Sequence, residues 1–421
     1  MTARTLRRVL LLLLTVVAIP SLAQKTAAIQ PDTPEPARFV VRGSVILDRV
    51  RGDAPVRFRG IGYSPYLRGE SAAREQDPGN DDRYDGHLAT VRWLNADYLH
   101  VFPARMPAAF FQALDRTDLV YGQDVWIKPR APDFLAEDYQ QAAAARVRAA
   151  IDYAYRVGRP DRLVLFSIGD ELSPVAIADT DRLHPQVHDF AGKRLRVAGR
   201  TPTEVALARV IDAAMDYELT RYGRRHLYCH TSFTHVGPLA RPDLDVAPAS
   251  ALLPDLGDLV CLNVYTYARG VVTSPPGSVT GTSYQGYLEG LTALTDKPVF
   301  VTQAGLSTSP YEPKPQVPGF GGHRVDAVPR TLRAIWDDIR TARGGERLAG
   351  LAFFELNDEW WKSGETWSDP DSHADEDPEE WFGLYALEDG RRLVPKGDIP
   401  QTVRELFAAP WQGDGGLRAD R

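Results

Sequence analysis

The feature that most limits what this chain can fold into is a repeated alternation of short apolar runs with longer Ala-, Leu- and Arg-rich segments. Eight runs have the length and character of strands: Phe58–Tyr63, Tyr98–Phe102, Asp124–Ile127, Leu163–Ile168, His226–His230, Leu259–Tyr265, Val299–Thr302 and Leu348–Phe354. Between them lie helical patterns such as Tyr139–Val157, Pro202–Tyr222 and Arg330–Ala342. Parallel strands need long crossovers, so this alternation favours a parallel sheet covered by helices. Eight such units over ~300 residues predict one (β/α)8 barrel of the α/β class, with long loops after strand seven (the Pro/Gly-rich stretch Ser307–Gly322) and strand eight (the acidic, aromatic stretch Asn357–Glu388). A doubly wound open sheet is the alternative. No G-x-G-x-x-G follows the first run, which argues against a dinucleotide cofactor. Phe39–Asp48 and Val56–Arg59 alternate on either side of Arg51-Gly52-Asp53-Ala54, which predicts a hairpin leading into the first strand.

The ends read differently. Arg4, Arg7 and Arg8 precede the apolar run Val9–Ile19, and Ser21-Leu22-Ala23 offers small residues at the −3 and −1 positions. This predicts a signal peptide over residues 1–23 and a secreted or periplasmic protein. The run is shorter than the ~18–20 residues that span a bilayer, and an uncleaved anchor is the alternative. No other run resembles a membrane span. A flexible leader is expected over 24–37, the barrel over 38–408 and a tail over 409–421. Loss of the three leader arginines takes the formal charge from −7 to −10. An acidic surface of this size disfavours nucleic acid as a partner. Cys229 and Cys261 form either one disulfide or two buried thiols, and no Cys-rich metal pattern exists.

The first chemical signal is Leu163-Val164-Leu165-Phe166-Ser167-Ile168-Gly169-Asp170-Glu171. An apolar strand runs directly into two carboxyls. In a barrel these fall at the active, C-terminal face. Burial there raises a carboxyl's pKa and lets it act as a general acid. A strand-end carboxylate paired with an arginine is the plain alternative.

Several motifs together resemble the retaining (β/α)8 glycoside hydrolases that include β-galactosidases, β-mannanases and endoglucanases. Arg57-Phe58-Arg59-Gly60-Ile61-Gly62-Tyr63 is similar to their first strand, and Ile168-Gly169-Asp170-Glu171 to their strand-four Asn-Glu. Leu262-Asn263-Val264-Tyr265 is similar to strand six, and Val301-Thr302-Gln303-Ala304-Gly305 to the strand-seven Thr-Glu-x-Gly. Asn357-Asp358-Glu359-Trp360-Trp361-Lys362 resembles a segment after strand eight. The resemblance covers Arg57 to about Leu406. It implies an oligo- or polysaccharide partner, no cofactor, Glu171 as acid/base and Asp170, His100, Asn263, Tyr265, Asp358, Trp360 and Trp361 as sugar contacts.

Three departures stand out. Gln303 occupies the position of the nucleophilic Glu, and an amide cannot attack as a carboxylate does. His100 replaces a strand-two Arg, and Asp170 replaces an Asn. The second carboxyl is then Asp170, Glu355, Asp358 or Glu359, with Glu355 at the end of strand eight the most prominent. Substrate-assisted hydrolysis oriented by Gln303, and a non-catalytic glycan-binding protein, are alternatives.

Five of eight tryptophans fall in the last 62 residues, interleaved with acids. They form either a sugar platform or loop packing. The acids alone are a weak calcium signal without EF-hand spacing. His226, His230 and His235 suit hydrogen-bonded histidines better than a metal, because Phe58–Tyr63 lacks His-x-His. Gly-x-Ser-x-Gly is absent.

Overall fold

The computed structural model describes residues 28–29, 37–239, 252–265, 284–311, 322–364, 367–409 and 411. The expected signal peptide lies outside the described residues. So do most of the expected leader and tail and the middle of the Ser307–Gly322 stretch.

Eight parallel strands close into a barrel: Phe58–Tyr63, Tyr98–Val101, Val120–Val125, Leu163–Asp170, Leu227–Phe233, Val260–Asn263, Val299–Ala304 and Leu348–Phe353, here strands one to eight. Strand eight returns to strand one, with Gly350 beside Phe58 and Phe353 beside Ile61. The (β/α)8 expectation therefore holds, and the open sheet is excluded. Strand three begins four residues earlier than the apolar pattern suggested. Gly122 and Asp124 break that pattern because they face the barrel interior, against Tyr98 and His100, while Gln123 on the other face donates to the Pro103 carbonyl.

Helices cover the outside: α1 (Arg83–Trp93), α2 (Ala108–Leu114), α3 (Glu137–Arg156), α4 (Pro174–Leu183), α5 (Pro202–Tyr222), α6 (Tyr284–Thr292), α7 (Val328–Thr341) and α8 (Ile399–Ala408). Helix α5 shows why the sequence starts and stops one where it does. Thr201 and Glu204 form a reciprocal capping box, Pro202 fits the first turn, and Gly223 ends the helix at φ 72°.

An antiparallel sheet of Phe39–Arg42, Val45–Asp48 and Ala54–Val56 precedes the barrel. It contains the expected hairpin. Its Phe39 and Ile46 join Phe58, Tyr98, Leu165, Leu227, Cys229, Leu259, Cys261 and Phe300 in one buried cluster that fills the barrel floor. Both cysteines are free thiols within this layer. Tyr98 rises from it, and its ring and hydroxyl take the room of two missing side chains. A Cβ on Gly60 would lie 2.9 Å from the Tyr98 ring, and one on Gly122 would land on the Tyr98 hydroxyl.

This packing makes a direct test. Gly122→Ala is expected to destabilise the fold by about 3 kcal/mol, an overpacking cost at the upper end of the usual range. Adding Tyr98→Phe removes the clashing oxygen and should recover part of the loss. Urea denaturation of the two variants and the double variant measures both effects. An unchanged Gly122→Ala midpoint would show that Tyr98 does not fill this space.

Candidate active site

The side chains at the C-terminal mouth are aimed by irregularities in the ladder. The pairing of strands four and five shifts register between Cys229 and Thr231, and that of strands six and seven shifts between Leu262 and Asn263. Such bulges redirect side chains at barrel rims. Strand four ends with Gly169 at φ 72° and Glu171 at φ 47°. The left-handed region is unfavourable for a residue with a Cβ. Glu171 is held there by its N–H to the Thr231 carbonyl (3.3 Å) and by its side chain.

Asn263 is the junction of the mouth. Its Nδ2 donates to Asp170 Oδ1 (3.0 Å) and to Glu171 Oε1 (2.8 Å). Its Oδ1 accepts from the Thr302 hydroxyl (2.7 Å), which fixes the amide's orientation. Strands four, six and seven are thus tied by one side chain. Beside it the Tyr265 hydroxyl donates to Gln303 Oε1 (2.9 Å). Four of the residues chosen from the sequence, Asp170, Glu171, Asn263 and Tyr265, therefore converge with Gln303.

His100 lies lower, fully buried. Its Nε2 faces Asp124 Oδ1 (3.2 Å) and its Nδ1 the Tyr98 hydroxyl (3.0 Å). A carboxylate only accepts, which places a proton on Nε2. The second oxygen of Asp124 has no hydrogen-bond partner.

Glu355 follows strand eight after a cis Phe354–Glu355 peptide. Its backbone is clamped by the segment 382–384: its N–H reaches the Phe382 carbonyl (3.2 Å), and its own carbonyl accepts from Leu384 (2.8 Å). Its side chain is fully buried, and neither carboxyl oxygen receives a hydrogen bond from a donor group. Lys362 makes no salt bridge with Glu355. Lys362 instead binds Glu359 (2.6 Å) and Glu379 (3.4 Å).

Burial dominates the acids here. It pushes the Glu171 carboxyl up to about 7, opposed by the Asn263 hydrogen bond and assisted by the charge of Glu379. Burial raises Asp170 well above the usual range, helped by Asp124 and Glu171. It also raises Glu355, helped by Glu359, which lies close enough to share its proton.

The remaining chosen residues sit apart. Asp358 pairs with Lys396 (2.5 Å) and accepts from the Gly383 N–H (3.0 Å). Trp361 is buried, donates its indole N–H to Glu359 Oε1 (2.9 Å) and packs edge-on against Tyr66 and Trp367. Trp360 heads a stack of rings with His373 and Trp381. The aromatic surface beside Gln303 comes from other residues: Tyr265 packs on Phe382, Phe382 on Phe354, and Phe354 on Phe102.

His226 and His230 are tied separately, to Glu218 (2.5 Å) and to the Ile168 carbonyl (2.9 Å). Among the described residues no three or more His, Cys, Asp or Glu side chains are grouped to hold a metal ion. No described helix is long and apolar enough to cross a membrane.

Comparison with known proteins gives the fold a context. No family model matches the chain, and no curated protein matches it in sequence. Solved structures do match. A β-glucuronidase from Ruminococcus gnavus in complex with uronic deoxynojirimycin is 13% identical, with a TM-score of 0.57 over 88% of this chain and 52% of that one. The Faecalibacterium prausnitzii β-glucuronidase is 13% identical, with a TM-score of 0.56 over 89% and 52%. A GH2 β-galacturonidase from Eisenbergiella tayi bound to galacturonate is 12% identical, with a TM-score of 0.54 over 89% and 54%. The chain thus spans about half the length of these proteins. At this identity the likeness is one of fold: an α/β barrel of the kind these glycoside hydrolases contain.

The neutral state of Glu355 has a measurable consequence. Its ordinary pKa is 4.5, and the fold raises it. Above that value the unfolded chain loses a proton that the folded chain keeps, so this group's contribution to stability falls as pH rises. Glu355→Gln removes the dependence. The variant is expected to melt several degrees above the native protein at pH 8 and level with it near pH 4. A melting-temperature difference that does not change with pH would refute the buried neutral carboxyl.

Proposed function

We propose that this protein is a glycoside hydrolase in which Glu171 is the general acid/base. The observation that carries the reading is Glu171 itself. It is a carboxyl at the mouth end of strand four, in a left-handed backbone position, with burial pushing its pKa up to about 7. Such a group holds a proton to give to a leaving oxygen and can take one back at neutral pH. Asn263 lies within hydrogen-bond distance of it and opposes a still larger shift.

Glu355 is the second carboxyl in this reading. It follows strand eight, which pairs with the strand that carries Gln303, and neither of its oxygens has a hydrogen-bond partner. A pair of carboxyls is what glycosidic hydrolysis needs, with their separation setting the stereochemistry. One of the similar solved structures holds coumarin-3-O-glucuronide and another galacturonate, which makes uronides one class to test. The solved neighbours' barrel and the secretory leader pattern both agree with an exported carbohydrate-active protein.

A second reading is a glycan-binding protein that does not cleave. Gln303 favours it. Its amide accepts from Tyr265 where the barrels it resembles carry a nucleophile, and burial raises the pKa of the Glu355 carboxyl.

Product release from a panel of neutral, amino and uronic oligosaccharides separates the two. Under the hydrolase reading the native protein cleaves at least one of them. Glu171→Gln is expected to lower kcat by about 10³-fold, within the range for loss of a general acid. Activity should also fall as pH rises through about 7, where Glu171 loses its proton. Cleavage by Gln303→Glu alone would support the binding reading instead. Absence of cleavage by either would leave only the likeness of fold.

A further inference from the structure

The mouth holds acidic groups whose oxygens no lysine or arginine among the described residues pairs directly. Asp124 is buried inside the barrel, gives one oxygen to His100 and leaves the other without a partner. Both oxygens of buried Glu355 lack a donor. Asp170 and Glu171 share the one nitrogen of Asn263, which is a neutral donor. Lys362 acts on Asp170, Glu171 and Glu355 alike, yet its ammonium is already engaged by Glu359 and Glu379.

A buried carboxylate without a cation or full hydrogen bonding is costly. Here the acids respond by keeping protons, as the upward shifts of Asp170, Glu171 and Glu355 indicate. A ligand that brought a positive charge would relieve the same cost. A metal ion is a poor fit, because among the described residues no three ligating side chains are grouped around one point. A sugar hydroxyl would add hydrogen bonds but no charge. An N-acetyl group would bury a neutral amide, and a uronate would add another anion. An ammonium supplies both the charge and three donors.

We infer that the glycan accepted at this mouth carries a free amine, as in a non-acetylated hexosamine, held by Asp170 and Glu171, whose oxygens meet at the Asn263 nitrogen, with Asp124 beneath them on strand three. The inference rests on the reading of this mouth as a glycan site.

The test is calorimetric titration of the purified protein with four probes: chitosan tetrasaccharide, its fully N-acetylated counterpart, cellotetraose and tetragalacturonate. Cleavage of each is followed in parallel. The chitosan tetrasaccharide is expected to bind about tenfold more tightly than cellotetraose and to weaken as sodium chloride is added. Tetragalacturonate should bind least. Asp124→Asn should abolish the preference for the amine. Glu379→Gln changes a partly exposed acid beside Lys362 and leaves the core alone. It should cut amine affinity several-fold while leaving cellotetraose within about twofold.

Glu171-dependent cleavage of a neutral glycan, with no tighter binding of the chitosan probe, overturns the amine inference and leaves the hydrolase reading standing. Preferred binding of the chitosan probe without cleavage of any glycan supports the inference and defeats the hydrolase reading. A preference that survives both substitutions reflects net charge alone and overturns the inference. Binding of none of the probes overturns it as well.

Discussion

A closed barrel has to fill its own interior, and the rest of this molecule follows from how that is done. The lower layer is apolar and is plugged from below by Phe39 and Ile46 of the preceding sheet. Tyr98 stands on that layer, in space left by Gly60 and Gly122, and offers its hydroxyl upward to His100. His100 in turn meets Asp124. Above them the carboxyls of Asp170 and Glu171 meet at Asn263, and Glu355 is buried after strand eight. The interior therefore passes from hydrocarbon through one tyrosine–histidine–aspartate step to a field of acids. Dense packing below removes water from one side of those acids, which is why burial is the largest influence on each of them.

The barrel was legible because strand and helix leave different periodicities, and eight repetitions make the signal hard to mistake. Helix α5 was readable to the residue, since Pro202 and Gly223 mark its ends chemically. Strand three was displaced because Gly122 and Asp124 are dictated by neighbours in space, Tyr98 and His100, which no local pattern reveals. The hairpin was visible for the opposite reason: its turn chemistry lies within a few consecutive residues.

The candidate site was legible where it sits on strand ends. Asp170, Glu171, Asn263, Tyr265 and Gln303 all follow apolar runs, and all meet at the mouth. The residues after strand eight were harder. Asp358, Trp360 and Trp361 follow Glu355 within six residues, but their side chains belong to the packing of the loop rather than to the mouth. Their alternation in chemistry gave no clue to this, because a loop has no fixed period. The partners of Lys362 were likewise hidden. One is three residues away and the other seventeen, and only the folded loop brings both to the same ammonium.

Lys396 introduces a mechanical constraint on this region. Its ammonium donates to Thr308 beyond strand seven, and to Asp358 and the Trp381 carbonyl beyond strand eight. Two rim segments from neighbouring strands are thereby fastened to a single buried post. Displacing either would drag the other with it or break a desolvated ion pair, so this flank behaves as one rigid jaw. Accommodation of differently shaped ligands must then come from the opposite side of the rim, and variation in sequence that alters ligand choice should concentrate there rather than around Lys396.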